Sequence, residues 1–163
     1  MVSEGSTAPE FTLPLAGGAS YDDIETFALA EEVGDGPIIL AFYPAAFTGG
    51  CTEEMCAFRD AMPAFEDLNA RVYGVSVDLP FAQNVWIEQH DLGFPMLSDW
   101  DHRVIHEYDV VREGLRGALE VARRSIFVVD ENGTVAYRWV RQGENPDFDA
   151  LVSTVRAEIE AIT

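Results

Sequence analysis

The sequence predicts an α/β fold, a layer sandwich with a central mixed β-sheet, on three observations. Ile38-Ile39-Leu40-Ala41-Phe42-Tyr43 is an unbroken apolar run of strand length, the pattern of a strand buried on both faces. Apolar residues at helical spacing follow it, and then a valine-rich run from Arg71 to Val77, so strand, helix and strand form a βαβ unit. Near the end, two strand-like runs flank Asp130-Glu131-Asn132-Gly133 as in a β-hairpin, and an amphipathic stripe closes the chain.

Taken in order, Ala8-Pro9-Glu10-Phe11-Thr12-Leu13-Pro14 reads as extended chain with a short strand, ended by the turn signal Gly17-Gly18. Asp23 to Glu32 reads as a short helix or irregular segment that stops near Gly34-Asp35-Gly36. The buried strand is stopped by Pro44. Cys51, Met55, Phe58, Met62 and Phe65 then recur at spacings of three and four, which predicts an amphipathic helix. Pro63 lacks an N–H and is expected to kink that helix or divide it. Beyond the Arg71–Val77 strand come a helix around Phe81 to His90 and the extended stretch Phe94-Pro95-Met96-Leu97. Residues 101 to 122 are ambiguous, with helical patches broken by Gly114 and Gly117. The hairpin strands are Ser125–Val129 and Thr134–Trp139, and the last helix carries Phe148, Leu151, Val152, Val155, Ile159 and Ile162 on one stripe. This element order is that of a thioredoxin-like layer sandwich, and order alone assigns no function.

At 163 residues the chain suits one domain, residues 1–163, with a single good core. A hydrophobic content of 48% sets disorder aside. The formal net charge is −19, and all ten cationic side chains are Arg. Like charge therefore makes nucleic acid or an anionic membrane a poor partner. The acids are spread along the whole chain, and no Lys is present. The spread argues against an acidic tail. The absence of Lys favours an acidic surface adapted to a salt-rich cytosol, a halophilic composition in which screening shortens the reach of self-repulsion, over a merely acidic mesophile protein. Met1-Val2-Ser3-Glu4-Gly5 has neither a basic start nor an apolar run, and no stretch has the length to span a bilayer. A cytoplasmic location is expected. A structural disulfide is disfavoured there, so interest turns to whether Cys51 or Cys56 is reactive.

The buried strand leads through Pro44-Ala45-Ala46-Phe47-Thr48-Gly49-Gly50 into Cys51, where the helix opens. A cysteine in the first helical turn meets unpaired backbone N–H groups and the positive end of the helix dipole, and both favour the thiolate. Gly49 and Gly50 allow a tight turn and the approach of a small substrate. Thr48, three residues before Cys51, can place its hydroxyl beside the sulfur and donate to it. Taken alone, Cys51 reads as a small buried hydrophobe and Thr48 as a helix N-cap. Neither reading explains Pro44, Thr48 and Cys51 at this spacing after a buried strand.

In the pattern P-x-x-x-T-x-x-C of Pro44, Thr48 and Cys51 the sequence resembles the peroxiredoxin family. The likeness extends to Ala8-Pro9-Glu10-Phe11, Phe94-Pro95-Met96-Leu97-Ser98-Asp99, Glu107-Tyr108-Asp109-Val110 and Arg124-Ser125-Ile126-Phe127-Val128-Val129-Asp130. It implies a thiol-dependent peroxidase that reduces hydrogen peroxide and small organic hydroperoxides through a Cys51 sulfenic acid, in antioxidant defence and without a cofactor. It further implies that Pro44 shields the site, that Thr48 orients the peroxide and that Arg124 lies against the sulfur and polarises the O–O bond. Arg123 is given a surface role. The reductant implied is a thioredoxin-like protein or a low-molecular-weight thiol, and the assembly a homodimer.

The resemblance divides at Cys56. The Phe47-Thr48-Gly49 wording resembles the alkyl hydroperoxide reductase E branch, often classed as one-cysteine. A second cysteine five residues on resembles the bacterioferritin-comigratory, or Q-type, branch, where it resolves the sulfenic acid as an intramolecular disulfide. Residues five apart on a helix have Cα atoms roughly 8–9 Å apart, and a disulfide wants roughly 4.4–6.8 Å. Resolution by Cys56 thus requires local unwinding; otherwise Cys56 is a packed helical residue and an external thiol reduces Cys51. His102 and His106, four apart beside Asp99 and Asp101, read as a polar loop and helix start more readily than as a metal site. Trp86, Trp100 and Trp139 read as packing or interface residues, and Phe47 and Trp86 as lining either the mouth or a dimer contact. Glu53-Glu54 read as first-turn acids that suit the dipole, a simpler reading than an active-site hydrogen bond held by Glu54. A thiol–disulfide oxidoreductase is disfavoured by the C-x-x-x-x-C spacing. A one-shot redox sensor and an inactive structural domain are the remaining alternatives.

Overall fold

In the computed structural model, which describes residues 2–163, the apolar run becomes the strand on which both cores are built. In chain order the elements are β1 Thr12–Ala16, β2 Ile24–Ala28, α1 Leu29–Glu32, β3 Ile38–Phe42, α2 Gly49–Asp67, β4 Arg71–Ser76 and α3 Pro80–His90. There follow β5 Met96–Ser98, α4 Arg103–Glu107, β6 Val111–Leu115, β7 Leu119–Ala122, β8 Ser125–Val129, β9 Val135–Val140 and α5 Phe148–Ile162. Seven strands make one mixed sheet in the order β2-β1-β5-β4-β3-β8-β9, and β6 and β7 form a separate pair. β3, β4 and β5 run parallel, as the βαβ connection through α2 requires. The other pairings are antiparallel.

Every residue of β3 is buried, and its alternation divides the interior. Ile39 and Ala41 face one helical layer, with Met55, Phe58 and Phe65 of α2, Trp86 of α3 and Val155 and Ile159 of α5. Ile38, Leu40 and Phe42 face the other side, with Phe27, Val104, Ile105, Tyr108 and Phe127. The ends of the helices are set locally. α3 begins on Pro80 and ends at Asp91 in the left-handed region. The Asp147 side chain caps α5 by accepting from the Ala150 N–H. The Asp99 carboxylate, fully buried, accepts from the Val104 and Ile105 N–H groups at the start of α4. No helix among the described residues is long and apolar enough to cross a membrane.

Three segments depart from expectation. Ile24–Ala28 of the Asp23–Glu32 segment is a strand, because it pairs with β1 residue for residue from Thr12↔Ala28 to Ala16↔Ile24; only the single turn α1 is helical. Pro63 lies inside α2 without dividing it. The Phe58 and Phe65 rings, tilted at 32° with centroids 6.0 Å apart, anchor the helix to the core on both sides of the proline. The ambiguous stretch contains α4 and then the β6–β7 hairpin, paired at Arg112↔Val121 and Leu115↔Leu119. Gly114 and Gly117, with φ of +74° and +85°, shape the hairpin bulge and turn and do not interrupt a helix.

Candidate active site

The backbone after β3, an interior strand, delivers Cys51 to the C-terminal end of that strand in three steps. Tyr43 prolongs the strand by donating its N–H to the Val75 carbonyl, and the buried Pro44 ends it. The Ala46 N–H then donates to Asp78 Oδ2 at 2.9 Å, and Phe47 reverses the chain at a φ of +66°, an unusual conformation for a residue with a Cβ. Thr48 is extended and precedes α2, so Gly49, Gly50 and Cys51 are its first three residues, with N–H groups that lack intrahelical acceptors. Cys51 is 1% exposed.

Arg124 arrives from the neighbouring strand. The register Phe42↔Ser125 between β3 and β8 sets Arg124 beside the start of the Pro44 loop. Its Nη2 donates to Cys51 Sγ at 3.3 Å, its Nη1 to Glu54 Oε1 at 3.2 Å and its Nε to Asn145 Oδ1 at 3.2 Å. The guanidinium carbon lies 5.4 Å from the centroid of the Phe148 ring, a cation–π contact. Burial opposes the charge on Arg124, but Glu54 and Cys51 outweigh it and hold its pKa above the usual arginine value. Glu54 is fully buried with Oε2 unpartnered, and burial pushes its pKa up to about 7 against the pull of Arg124.

Pro44, Thr48, Cys51 and Arg124 thus line one pocket of about 340 Å³, closed on its far side by Arg112, Leu115, Arg116 and Leu119 of the β6–β7 hairpin. The Thr48 hydroxyl donates to the Ala45 carbonyl at 2.7 Å, so neither the N-cap bond nor the expected donation to sulfur is made, and its lone pairs stay free to accept. Cys56 is half-buried on the same unbroken helix, opening to a recess lined by Glu53, Asp60, Asp147 and Asp149, and both thiols are free.

A model of the AhpC/TSA family matches residues 5–138. The chain belongs to that family. Peroxiredoxin Q of Gentiana triflora is 37% identical over 134 residues, 82% of this chain and 57% of its own, so the chain spans little more than half of that relative. Alkyl hydroperoxide reductase E of Mycobacterium bovis is 33% identical over 144 residues, 87% of this chain and 88% of the relative. In three dimensions the peroxidoxin BcpB of Mycobacterium tuberculosis superposes with a TM-score of 0.85 and 32% identity, covering 100% of this chain and 99% of its own. These matches make the chain a peroxiredoxin, a thiol peroxidase of the oxidoreductase class with the thioredoxin-like fold.

Other residues singled out in this peroxiredoxin lie apart from the pocket. Trp86 is buried against Tyr43, with ring centroids 5.0 Å apart, while Trp100 is exposed and Trp139 half-buried. His102 Nδ1 and His106 Nε2 both meet Glu120 Oε1 at 3.0 Å, tying α4 to β7. Arg123 is exposed and lines a neighbouring recess. The dipole role for Glu54 is corrected: α2 starts two residues earlier than expected, and Glu54 lies in its second turn, facing inward onto Arg124. Asn145 and the hairpin residues escaped notice. The alternative reading of Glu54, an active-site hydrogen bond, is the one its contact with Arg124 favours, and it fits a place three residues after Cys51 on the same helix face.

Proposed function

We propose that Cys51 reduces hydrogen peroxide and small organic hydroperoxides by in-line attack of its thiolate on the nearer peroxide oxygen. The S–O bond forms as the O–O bond breaks, the distal oxygen leaves as water or an alcohol after taking up a proton, and sulfur is oxidised to sulfenic acid. The observation that carries this reading is the Arg124 guanidinium, donating to Sγ at 3.3 Å while Glu54 and Asn145 hold it in place. A fixed cation is most effective where charge develops on the leaving oxygen. Thr48, its own proton committed to Ala45, accepts the hydroperoxide O–H and turns the substrate end-on. Pro44 keeps water from the sulfur.

The sulfenic acid is then condensed with Cys56 to a disulfide, with loss of water, and a thioredoxin-like protein or small thiol returns both sulfurs to thiols. A homodimer is formed by the exposed Phe47, Leu79, Phe81 and Val85, which lie beside the active-site loop and on α3. The charge of −19 without lysine supports work in a saline cytoplasm and sets the assay conditions. Peroxide consumption with dithiothreitol at high salt tests the reading. Wild type should turn over repeatedly and Cys51→Ser not at all. A single equivalent consumed without turnover would point instead to a redox sensor.

A further inference from the structure

Half of the ten arginines in this chain of net charge −19 line two recesses that share Arg112 and Arg141: Arg112, Arg116, Arg123, Arg124 and Arg141. The clustering is built by the backbone. Arg112 lies on β6, the Arg123 N–H donates to the Val110 carbonyl just before β6, and the Arg141 N–H donates to the Arg124 carbonyl. Arg112, Arg123 and Arg141, with Val111 and Gly143, line a recess of about 270 Å³, and Arg112 and Arg141 also line the Cys51 pocket.

Arg59, Arg71, Arg103, Arg124 and Arg156 each have a carboxylate partner. Among the described residues Arg112, Arg116, Arg123, Arg138 and Arg141 have none, although acids outnumber cations 29 to 10. All of these but Arg138 lie at the two recesses, where Arg141 Nη1 donates to Asn145 Oδ1 at 2.9 Å. Arg141 is held below the usual arginine pKa by partial burial and then by Arg112, Arg124 and Arg123. Like charges left facing one another without a neutralising carboxylate are the mark of a site completed by an anion. Hydrogen peroxide is itself neutral, and Arg124 already donates to the sulfur it meets.

We propose that Arg112, Arg123 and Arg141 form an anion subsite beside Cys51, which takes the carboxylate of a reactant whose other end reaches the sulfur. The proposal rests on the thiol-peroxidase reading of Cys51. The carboxylate has two sources, an acidic organic hydroperoxide meeting the thiolate or an acidic low-molecular-weight thiol meeting the sulfenic acid. The apolar Leu115 and Leu119, on the hairpin wall, accommodate the carbon chain between the two ends in either case.

Matched pairs of reactants test it at fixed ionic strength. A hydroperoxy carboxylic acid and its methyl ester oxidise the reduced enzyme, and mercaptopropionate and its methyl ester reduce oxidised Cys51 in a Cys56→Ser background. The readout is the acid-to-ester ratio of second-order rate constants within each protein. In Arg112→Gln/Arg123→Gln that ratio should fall about tenfold in at least one arm, and Arg112→Lys/Arg123→Lys should keep it. The arm that moves identifies the source. An unchanged ratio in both arms, or equal losses for acid and ester, would overturn the subsite. Failure of every hydroperoxide to oxidise wild-type Cys51 would instead overturn the peroxidase reading, and the subsite with it.

Discussion

The cation at the sulfur is held by three anchors, and its geometry matters as much as its charge. Arg124 spreads its donors over Cys51, Glu54 and Asn145 at once. A lysine ammonium cannot span that fan, so Arg124→Lys should lower the peroxide-reduction rate constant by about 10²-fold despite the retained charge; stopped-flow oxidation of Cys51 measures it. Gly50 offers a finer probe, since a Cβ there would lie 2.8 Å from Asn145 Nδ2 and 3.2 Å from Arg124 Nη2. Gly50→Ala should therefore displace the guanidinium and slow the same step by about tenfold, an effect that rate constants for wild type and variant reveal. Glu54 contributes a pH dependence. Its folded pKa of about 7 exceeds the ordinary value of 4.5, so the folded state holds the extra proton between those values. The stability linked to that proton is present below pH 4.5 and lost as pH rises through 7. Between these limits Glu54→Gln should gain about 3 kcal/mol relative to wild type, read from urea unfolding across the range. A difference that does not vary with pH would mean that Glu54 stays ionised throughout.

At the scale of elements, α2 carries both cysteines and is the part that must change shape. It is continuous from Gly49 to Asp67, so Cys51 and Cys56 cannot bond until its first turns unwind. Gly49 has nothing within 4 Å of its would-be Cβ, unlike Gly50. Gly49→Ala should fit without strain and stabilise the helical turn by up to about 1 kcal/mol. Disulfide formation should then slow by up to about fivefold, while the first, peroxide-reducing step keeps its rate. Intact mass under non-reducing conditions, sampled after one equivalent of peroxide, follows the loss of two hydrogens; equal rates in both proteins would mean that the first turn does not limit resolution. The contrast between the two glycines also marks what the sequence made legible. Pro44, Thr48 and Cys51 were visible because one strand-to-helix turn holds them within eight residues. Arg124 came through resemblance, since its approach depends on the pairing of β3 with β8 far along the chain. Glu54 was legible only as the lesser of two readings, an active-site hydrogen bond ranked below a dipole role, and Asn145 stayed hidden, because side chains that act through Arg124 leave no pattern of their own. The β6–β7 hairpin was obscured because its strands have little apolar alternation and only Val121 and Ala122 are buried, leaving Gly114 and Gly117 to be read as breaks.

For the whole molecule, charge and apolar surface act against each other. The net charge of −19 repels a second copy, whereas Leu79, Phe81 and Val85 are 58%, 48% and 45% exposed at the start of α3, with Phe47 on the adjoining loop at 53%. Phe81 and Val85 are one helical turn apart and so share a face. Burying such side chains contributes roughly 1.5–3 kcal/mol each when complete. Repulsion between two such anions reaches about 10 Å in 0.1 M salt and about 3 Å in 1 M. Self-association should thus be weak at low salt and strengthen steeply as salt is added, the reverse of an interface held by opposite charges. Sedimentation velocity across that range of salt should follow the shift from monomer to dimer. Phe81→Glu, which adds an anion at the centre of the apolar face, should remain monomeric at the higher salt. Persistence of its dimer would exclude this face. A wild-type dimer that dissociates with salt would mean that ion pairs, and not the apolar residues of α3, hold the copies together.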